Sequence, residues 1–295
     1  MKNIKYIVVF AVLIATGKLF AQQDPALTMY QYNMNIINPA YAGSSGDTEL
    51  NLHIRNQWTD IDGAPETQSF SFVKPLGDRI GIGFSVVNDK YHITKETNYT
   101  ADFSYRLQLS EKSDLYLGVK AGAYTLNVDF NSLGILGDPS FDANVSRTNG
   151  IFGAGAYLKA DKFYATLSIP NFLNGDRVER ADDGYTEATD RIHLYAGAGY
   201  TFDLSENFEL TPSVMGRFVE GVPASVDITA MVNMYHMVEV GASYRWDDSI
   251  SGFALVRAAD WIQFGYSYGA TTSALNTYSG GTHEIMLRFR FNASK

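Results

Sequence analysis

The stretch RIHLYAGAGY, Arg191–Tyr200, decides how the rest of the chain is read. Ile192, Leu194, Ala196, Ala198 and Tyr200 fall on one face of an extended strand, and Arg191, His193, Tyr195, Gly197 and Gly199 on the other, because successive side chains alternate. The same period recurs in Phe208–Phe218, Ala224–Val232, Val238–Tyr244 and Ile285–Phe291. Their apolar sets are Leu210/Val214/Phe218, Val226/Ile228/Val232, Val238/Val240/Tyr244 and Ile285/Leu287/Phe289/Phe291. The opposite faces carry Glu209, Arg217, Asp227, Glu239, Arg245, Glu284, Arg288 and Arg290. Alternation alone fits a soluble sandwich as well as a membrane barrel, since both keep one face dry.

Strand length and loop order separate the two. The pattern predicts fourteen strands: Thr48–Trp58, Thr67–Lys74, Arg79–Val87, Asn98–Leu109, Asp114–Val128, Thr148–Lys159, Lys162–Ile169, Asp190–Leu204, Phe208–Val219, Ala224–Asn233, Met237–Trp246, Ser251–Arg257, Ile262–Tyr268 and Thr282–Asn292. Most approach the roughly 9–11 residues that a tilted spanning strand needs. Connections after even strands are tight, while those after odd strands include all the long ones: Thr59–Glu66, Asn88–Thr97, Asp129–Arg147, Pro170–Thr189 and Gly269–Gly281. Short turns at one end and long loops at the other indicate an antiparallel transmembrane outer-membrane β-barrel with both termini in the periplasm. Trp58 and Trp246 fall at one expected rim and Trp261 at the other, the depth that amphipathic rings prefer.

The N-terminus agrees with export. Residues 1–21 read as a signal peptide: Lys2 and Lys5 precede the apolar run Ile7–Ala15, and Leu19-Phe20-Ala21 offers a cleavage site before Gln22. Residues 22–46 are rich in Asn with Pro25, Pro39 and Gly43, and read as an irregular lead-in, long enough to enter the barrel from the periplasmic end and plug it. Residues 47–295 supply the barrel. The chain of 295 residues has no cysteine and a formal charge of −9, and the mature part is more acidic still once Lys2, Lys5 and Lys18 are removed. That balance argues against nucleic acid as a partner.

Motifs for chemistry are weak. His53, Arg55, Asp102, Arg106 and Lys120 share the wet faces of early strands with Gly81, Gly83, Ser85, Gly118, Gly122, Gly153 and Gly155. Charges of both signs there either line a pore or pair within a filled interior, and the absence of a dominant sign favours pairing. Gly81-Ile-Gly83 and Gly197-Ala-Gly199 open no helix, so close approach of backbone explains them better than nucleotide binding. Gly241-Ala-Ser243 begins like a nucleophile elbow, but Arg245 stands where a second glycine belongs. The five histidines, His53, His92, His193, His236 and His283, show no metal-ligand spacing and read as lumen or turn residues. Asp182, Asp183, Glu187 and Asp190 read as a solvated acidic loop rather than a calcium site. No catalytic, cofactor-binding or metal residue is expected, and an enzyme is not.

Asp24, Pro25, Tyr30, Asn33 and the run Ile37-Asn38-Pro39-Ala40-Tyr41-Ala42-Gly43 resemble the opening signature of the PorP/SprF family of type IX secretion system membrane proteins. The resemblance continues through Phe163–Asn174, Leu210–Ser213, Val219–Gly221, Gly241–Arg245, Gly265–Tyr268 and Tyr278–Leu287, and so spans essentially the whole mature chain. It implies an outer-membrane barrel of Gram-negative Bacteroidota that serves secretion. The implied partners, besides outer-membrane lipid, are translocon or periplasmic ring components, or a secreted surface protein with a type IX C-terminal secretion domain. A large adhesin of gliding motility is such a protein, to be held at the cell surface. The alternative class is an open porin or small-molecule transporter.

Overall fold

The computed structural model describes residues 27–134, 144–173, 176–178, 188–189 and 191–292. The expected signal peptide, Asp24 and Pro25, and the acidic cluster Asp182/Asp183/Glu187/Asp190 lie outside the described residues. The strands are β1 (Asp47–Asn56), β2 (Glu66–Leu76), β3 (Ile80–Tyr91), β4 (Thr94–Ser110), β5 (Ser113–Val128), β6 (Val145–Ala160) and β7 (Phe163–Ile169). After them come β8 (His193–Tyr200, resuming as Phe202–Ser205), β9 (Phe208–Val219), β10 (Ser225–Met234), β11 (Val238–Arg245), β12 (Ser249–Ala259), β13 (Ile262–Thr271) and β14 (Thr282–Asn292). Each pairs antiparallel with its sequence neighbour, and β1 pairs with β14 from Asp47↔Asn292 to Asn56↔His283. The sheet therefore closes with no free edge in the ring. A minor hairpin, Asp176–Val178 with Ala188–Thr189, lies in the connection from β7 to β8.

All fourteen expected strands are present, with shifted ends. The expected long loop Asn88–Thr97 is a correction: β3 and β4 run on, pairing Asp89 with Glu96 and Lys90 with Lys95, and turn at His92-Ile93 with His92 at φ 50°. This part of the hairpin is polar on both faces, so it lacks the alternation that marks a spanning strand. Its side chains support the pairing instead, with Thr67 Oγ1 donating to Asp89 at 2.6 Å and Thr97 Oγ1 to Asn88 at 3.0 Å. The last long loop is also shorter than expected, because β13 reaches Thr271 and a 3₁₀ turn, Ala274–Thr277, follows. In β8, Thr201 breaks the run, and its N–H donates to Lys162 O at 2.7 Å.

The faces sort as the alternation predicts. Leu52, Ile54, Phe84, Phe103, Val119, Val214, Ile228, Val240 and Ile285 are exposed on the outside. Glu49, His53, Arg55, Asp102, Lys120, Arg217, Asp227, Arg245, Glu284 and Arg288 are buried within. An apolar exterior over a polar interior is what hydrocarbon around a barrel requires. Aromatic residues mark its two borders, Tyr266, Tyr268 and His283 toward the long connections and Trp261 stacked on Phe289 at the short turns. His283 is thus a correction: it sits on the outer surface beside the two tyrosines, with its Nδ1 2.8 Å from Tyr266 OH, and not in the lumen or a turn.

Leu52 lies midway along β1, flanked by Phe70 and Leu287. Leu52→Arg places a cation on the lipid face near the midplane and destabilises the folded barrel by about 2–4 kcal/mol, whereas Leu52→Val is nearly neutral. Denaturant titration of the two variants in lipid vesicles checks the difference; equal midpoints would mean that this face does not meet lipid.

Candidate functional site in the barrel lumen

The described part of the lead-in segment, residues 27–46, occupies the lumen. Three short 3₁₀ helices, Tyr30–Tyr32, Met34–Ile36 and Pro39–Tyr41, carry the chain through it, and Gly46 hands over to β1. Met29, Asn38, Ala40 and Ala42 have no exposed surface at all. Buried backbone must find hydrogen-bond partners: the turns supply some from within, as Asn33 N–H donates to Tyr30 O at 2.9 Å, and the barrel wall supplies others. Lys120 Nζ donates to Asn35 O at 3.0 Å, Ser168 Oγ to Ile37 O at 2.8 Å and Lys159 Nζ to Ser44 O at 2.8 Å. At the other end of the segment, Glu284 Oε1 accepts from Thr28 N–H at 2.9 Å, and its other oxygen from Met29 N–H at 3.4 Å. Sequence reading put Lys120 and Glu284 on wet strand faces but gave neither this gripping role, and it passed over Ser168 and Lys159; their one local signal is a small or charged side chain on the wet face of a strand.

The run Asn38–Gly43 is explained residue by residue. Asn38 Oδ1 caps the following turn by accepting from Ala40 N–H at 2.9 Å, while its Nδ2 donates to Thr166 Oγ1 at 2.7 Å and Ala156 O at 3.0 Å. Pro39 sits at the first position of the 3₁₀ helix, where no N–H is needed. Tyr41 meets Tyr157 edge to face at 5.4 Å, within a cluster that includes Tyr116 and Tyr164. Ala42 O accepts from Ser104 Oγ, and Gly43 holds φ 73°, a conformation open to glycine. Tyr30 packs with Leu27, Met34, Tyr195 and Met215, and Asn33 bonds both Ser69 and Ser71.

The wall glycines make room for this segment. A Cβ on Gly118 would stand 2.3 Å from Ala40 N, one on Gly81 2.0 Å from Ala42 O, and one on Gly155 2.1 Å from Asn38 Oδ1. Crowding by backbone, the expectation for these glycines, holds for Gly81, Gly118, Gly122 and Gly153, whereas side chains of Asp102, Asn38 and Tyr164 crowd Gly83, Gly155 and Gly199. A Cβ on Gly197 would stand 2.7 Å from the backbone oxygen of Val214. Ser243 lies within β11, where its hydroxyl accepts from Thr229 at 2.9 Å.

Around the segment the interior charges pair. Lys120 meets Asp102 at 2.8 Å, Arg288 meets Glu49 at 2.8 Å, and Arg245 bonds both oxygens of Asp227 at 2.6 and 2.9 Å. Glu284 is shared by Arg55 and by His53 at 3.1 Å. Arg106 lies toward the short turns, partly exposed and 2.8 Å from Asp114. His92 and His236 are turn residues with positive φ, and His193 is half-buried at the start of β8. Among the described residues no group of three or more His, Asp or Glu is placed to hold a metal ion.

A closed sheet with an apolar belt outside and a packed, ion-paired interior defines an outer-membrane β-barrel protein. Its fold is similar to that of Omp33 of Acinetobacter baumannii (10% identity, 83% of this chain and 99% of that one, TM-score 0.51). It is also similar to that of the CymD monoaromatic hydrocarbon channel (13% identity, 87% and 91%, TM-score 0.50). No curated protein matches the chain. Residues 19–289 match the family described as type IX secretion system membrane protein PorP/SprF, and the chain belongs to that family.

Gly118→Ala tests the fit of segment to wall. Its methyl group meets backbone rather than a flexible side chain, so the variant loses about 1–3 kcal/mol, the usual penalty for overpacking. Gly252→Ala, with its nearest neighbour 4.0 Å from the added carbon, is the tolerated control. Thermal unfolding of both in detergent checks this, and a Gly118→Ala protein as stable as the control contradicts the contact.

Proposed function

We propose that this chain is a non-enzymatic secretion and anchoring partner in the outer membrane of a Bacteroidota cell. It engages a secreted surface protein carrying a type IX C-terminal secretion domain, such as a large adhesin of gliding motility, on the extracellular side. Components of the translocon or its periplasmic ring stand behind it. The observation that carries this reading is the occupied lumen: a barrel whose interior is filled from Leu27 to Gly46 is built to hold and dock, not to conduct. Family membership supports the setting in type IX secretion. The docking face in this reading is the extracellular end, where residues 129–144 and 170–192 form the longest connections. Loops on a rigid scaffold are where recognition is readily built. The first connection holds Asp129, Asp138 and Asp142 with no basic residue, and the second holds Asp176, Glu179, Asp182, Asp183, Glu187 and Asp190 against Arg177, Arg180 and Arg191, so each has a net charge of −3, whereas the periplasmic turns are close to neutral. A cargo with a basic contact surface fits that asymmetry.

In planar bilayers the purified full-length protein gives no steady large openings, and removal of residues 27–46 produces them if the remaining barrel folds. Steady conductance of the intact chain favours a porin or small-molecule transporter instead. Affinity purification of the detergent-solubilised barrel from its native host recovers a large secreted protein or a translocon subunit, and shortening the two long connections abolishes recovery. A barrel that purifies alone, and whose deletion leaves the set of surface proteins unchanged, overturns the reading.

A further inference from the structure

The connection from β1 to β2 bounds a cavity of about 430 Å³ against the outer wall of the barrel. Asn56, Glu66 and Lys90 line it, whereas their inward-facing neighbours Arg55, Thr67 and Asp89 do not. Asn56 pairs with Glu66 and Glu66 with Lys90, each two residues beyond a member of the outward row Ile54, Gln68 and Asn88, so all three belong to the lipid side of the sheet. Register sets the depth. Asn56 is opposite His283 of the external aromatic border, and the exposed apolar residues Leu52, Ile54 and Tyr99 lie below. The cavity therefore sits at headgroup level, just above the apolar belt. Backbone hydrogen bonds fix its walls: Gln57 N–H donates to Pro65 O at 2.9 Å, His92 N–H to Gly63 O at 2.8 Å and Gly280 N–H to Thr59 O at 2.7 Å.

The charges around it are unbalanced. Lys90 lies directly opposite Lys95 on the same outward face, both are exposed, and like charges so placed repel. Among the described residues no carboxylate forms an ion pair with either, and Glu66, beside Lys90 in register, accepts instead from Gln68 Nε2 at 2.6 Å. A phosphate between the two ammonium groups turns that repulsion into attraction. Next to it Asn56, Gln57, Thr59 and Glu66 offer the donors and acceptors that sugar hydroxyls need.

We propose that this cavity seats the phosphorylated sugar headgroup of a membrane glycolipid, with Lys90 and Lys95 on the phosphate and the acyl chains lying over Ile54 and Leu52. With the long connections outward, the leaflet concerned is the outer one. The volume falls within the roughly 300–1,000 Å³ of small-molecule sites. Such a lipid anchors the β1–β2 connection to the membrane whether or not a secreted partner is bound.

Native mass spectrometry of the full-length protein, released from detergent after incubation with diphosphoryl lipid A, counts the bound lipids. The expected result is one lipid A per barrel. The double variant Lys90→Gln/Lys95→Gln, at two exposed positions, lowers its apparent affinity about tenfold or more, as loss of charge-assisted hydrogen bonds requires. Ala64→Trp, which fills the cavity without changing its charge, has a similar effect, and Lys112→Gln, exposed in the turn between β4 and β5, has none. Unchanged retention in either cavity variant overturns the proposal. So does equal retention of dephosphorylated lipid A, which removes the phosphate from the site, or of phosphatidylglycerol, which removes the sugar. Displacement of lipid A by inorganic phosphate points to a site for soluble anions and overturns it as well.

Discussion

Hydrocarbon offers no partner to a peptide N–H or C=O, and the whole architecture depends on that constraint. An open sheet would present one unpaired row of backbone groups at each edge to lipid. Pairing of β1 with β14 over ten residue positions, from Asp47↔Asn292 to Asn56↔His283, removes both rows together. Once the ring is closed, the outer face is fixed as apolar and the inner face must accommodate everything else. Lipid thus determines the alternation, and the alternation determines where the charged residues go.

The inner face then poses a different problem. Lys120, Asp102, Arg288, Glu49 and Glu284 are sealed away from bulk water, where an unpaired charge would be severely penalised. Pairing each with an opposite charge offsets much of that penalty, and the segment's backbone uses what capacity remains. Glu284 illustrates the economy: one carboxylate meets Arg55, His53 and two backbone N–H groups. Removing one partner of such a pair would be far more damaging than replacing both, because the survivor keeps its charge and loses its compensation.

Much of this was legible in the sequence, for reasons that differ by region. Period-two alternation survives wherever lipid lies on one side, so every spanning strand could be read from the chain. It disappears where both faces carry polar residues, which is why β3 and β4 extend past Val87 and Asn98 through a stretch that reads as loop. His283 was misplaced because an outward aromatic border tolerates a polar ring that the strand interior would not. The irregularity of residues 27–46 was visible from Asn, Pro and Gly, and glycines on wet strand faces signalled close approach of other groups. What approached them was not visible. The contact of Gly118 with Ala40 or Gly155 with Asn38 joins positions far apart in sequence, and nothing local to either encodes it.

The inner segment leads directly into β1, and β1 is also half of the closing seam. Enclosure and closure therefore belong to one continuous stretch: Gly46, the last residue of the inner segment, is followed directly by Asp47, the first residue of the seam, so a change in how the segment sits is passed straight to the strand pair that shuts the ring.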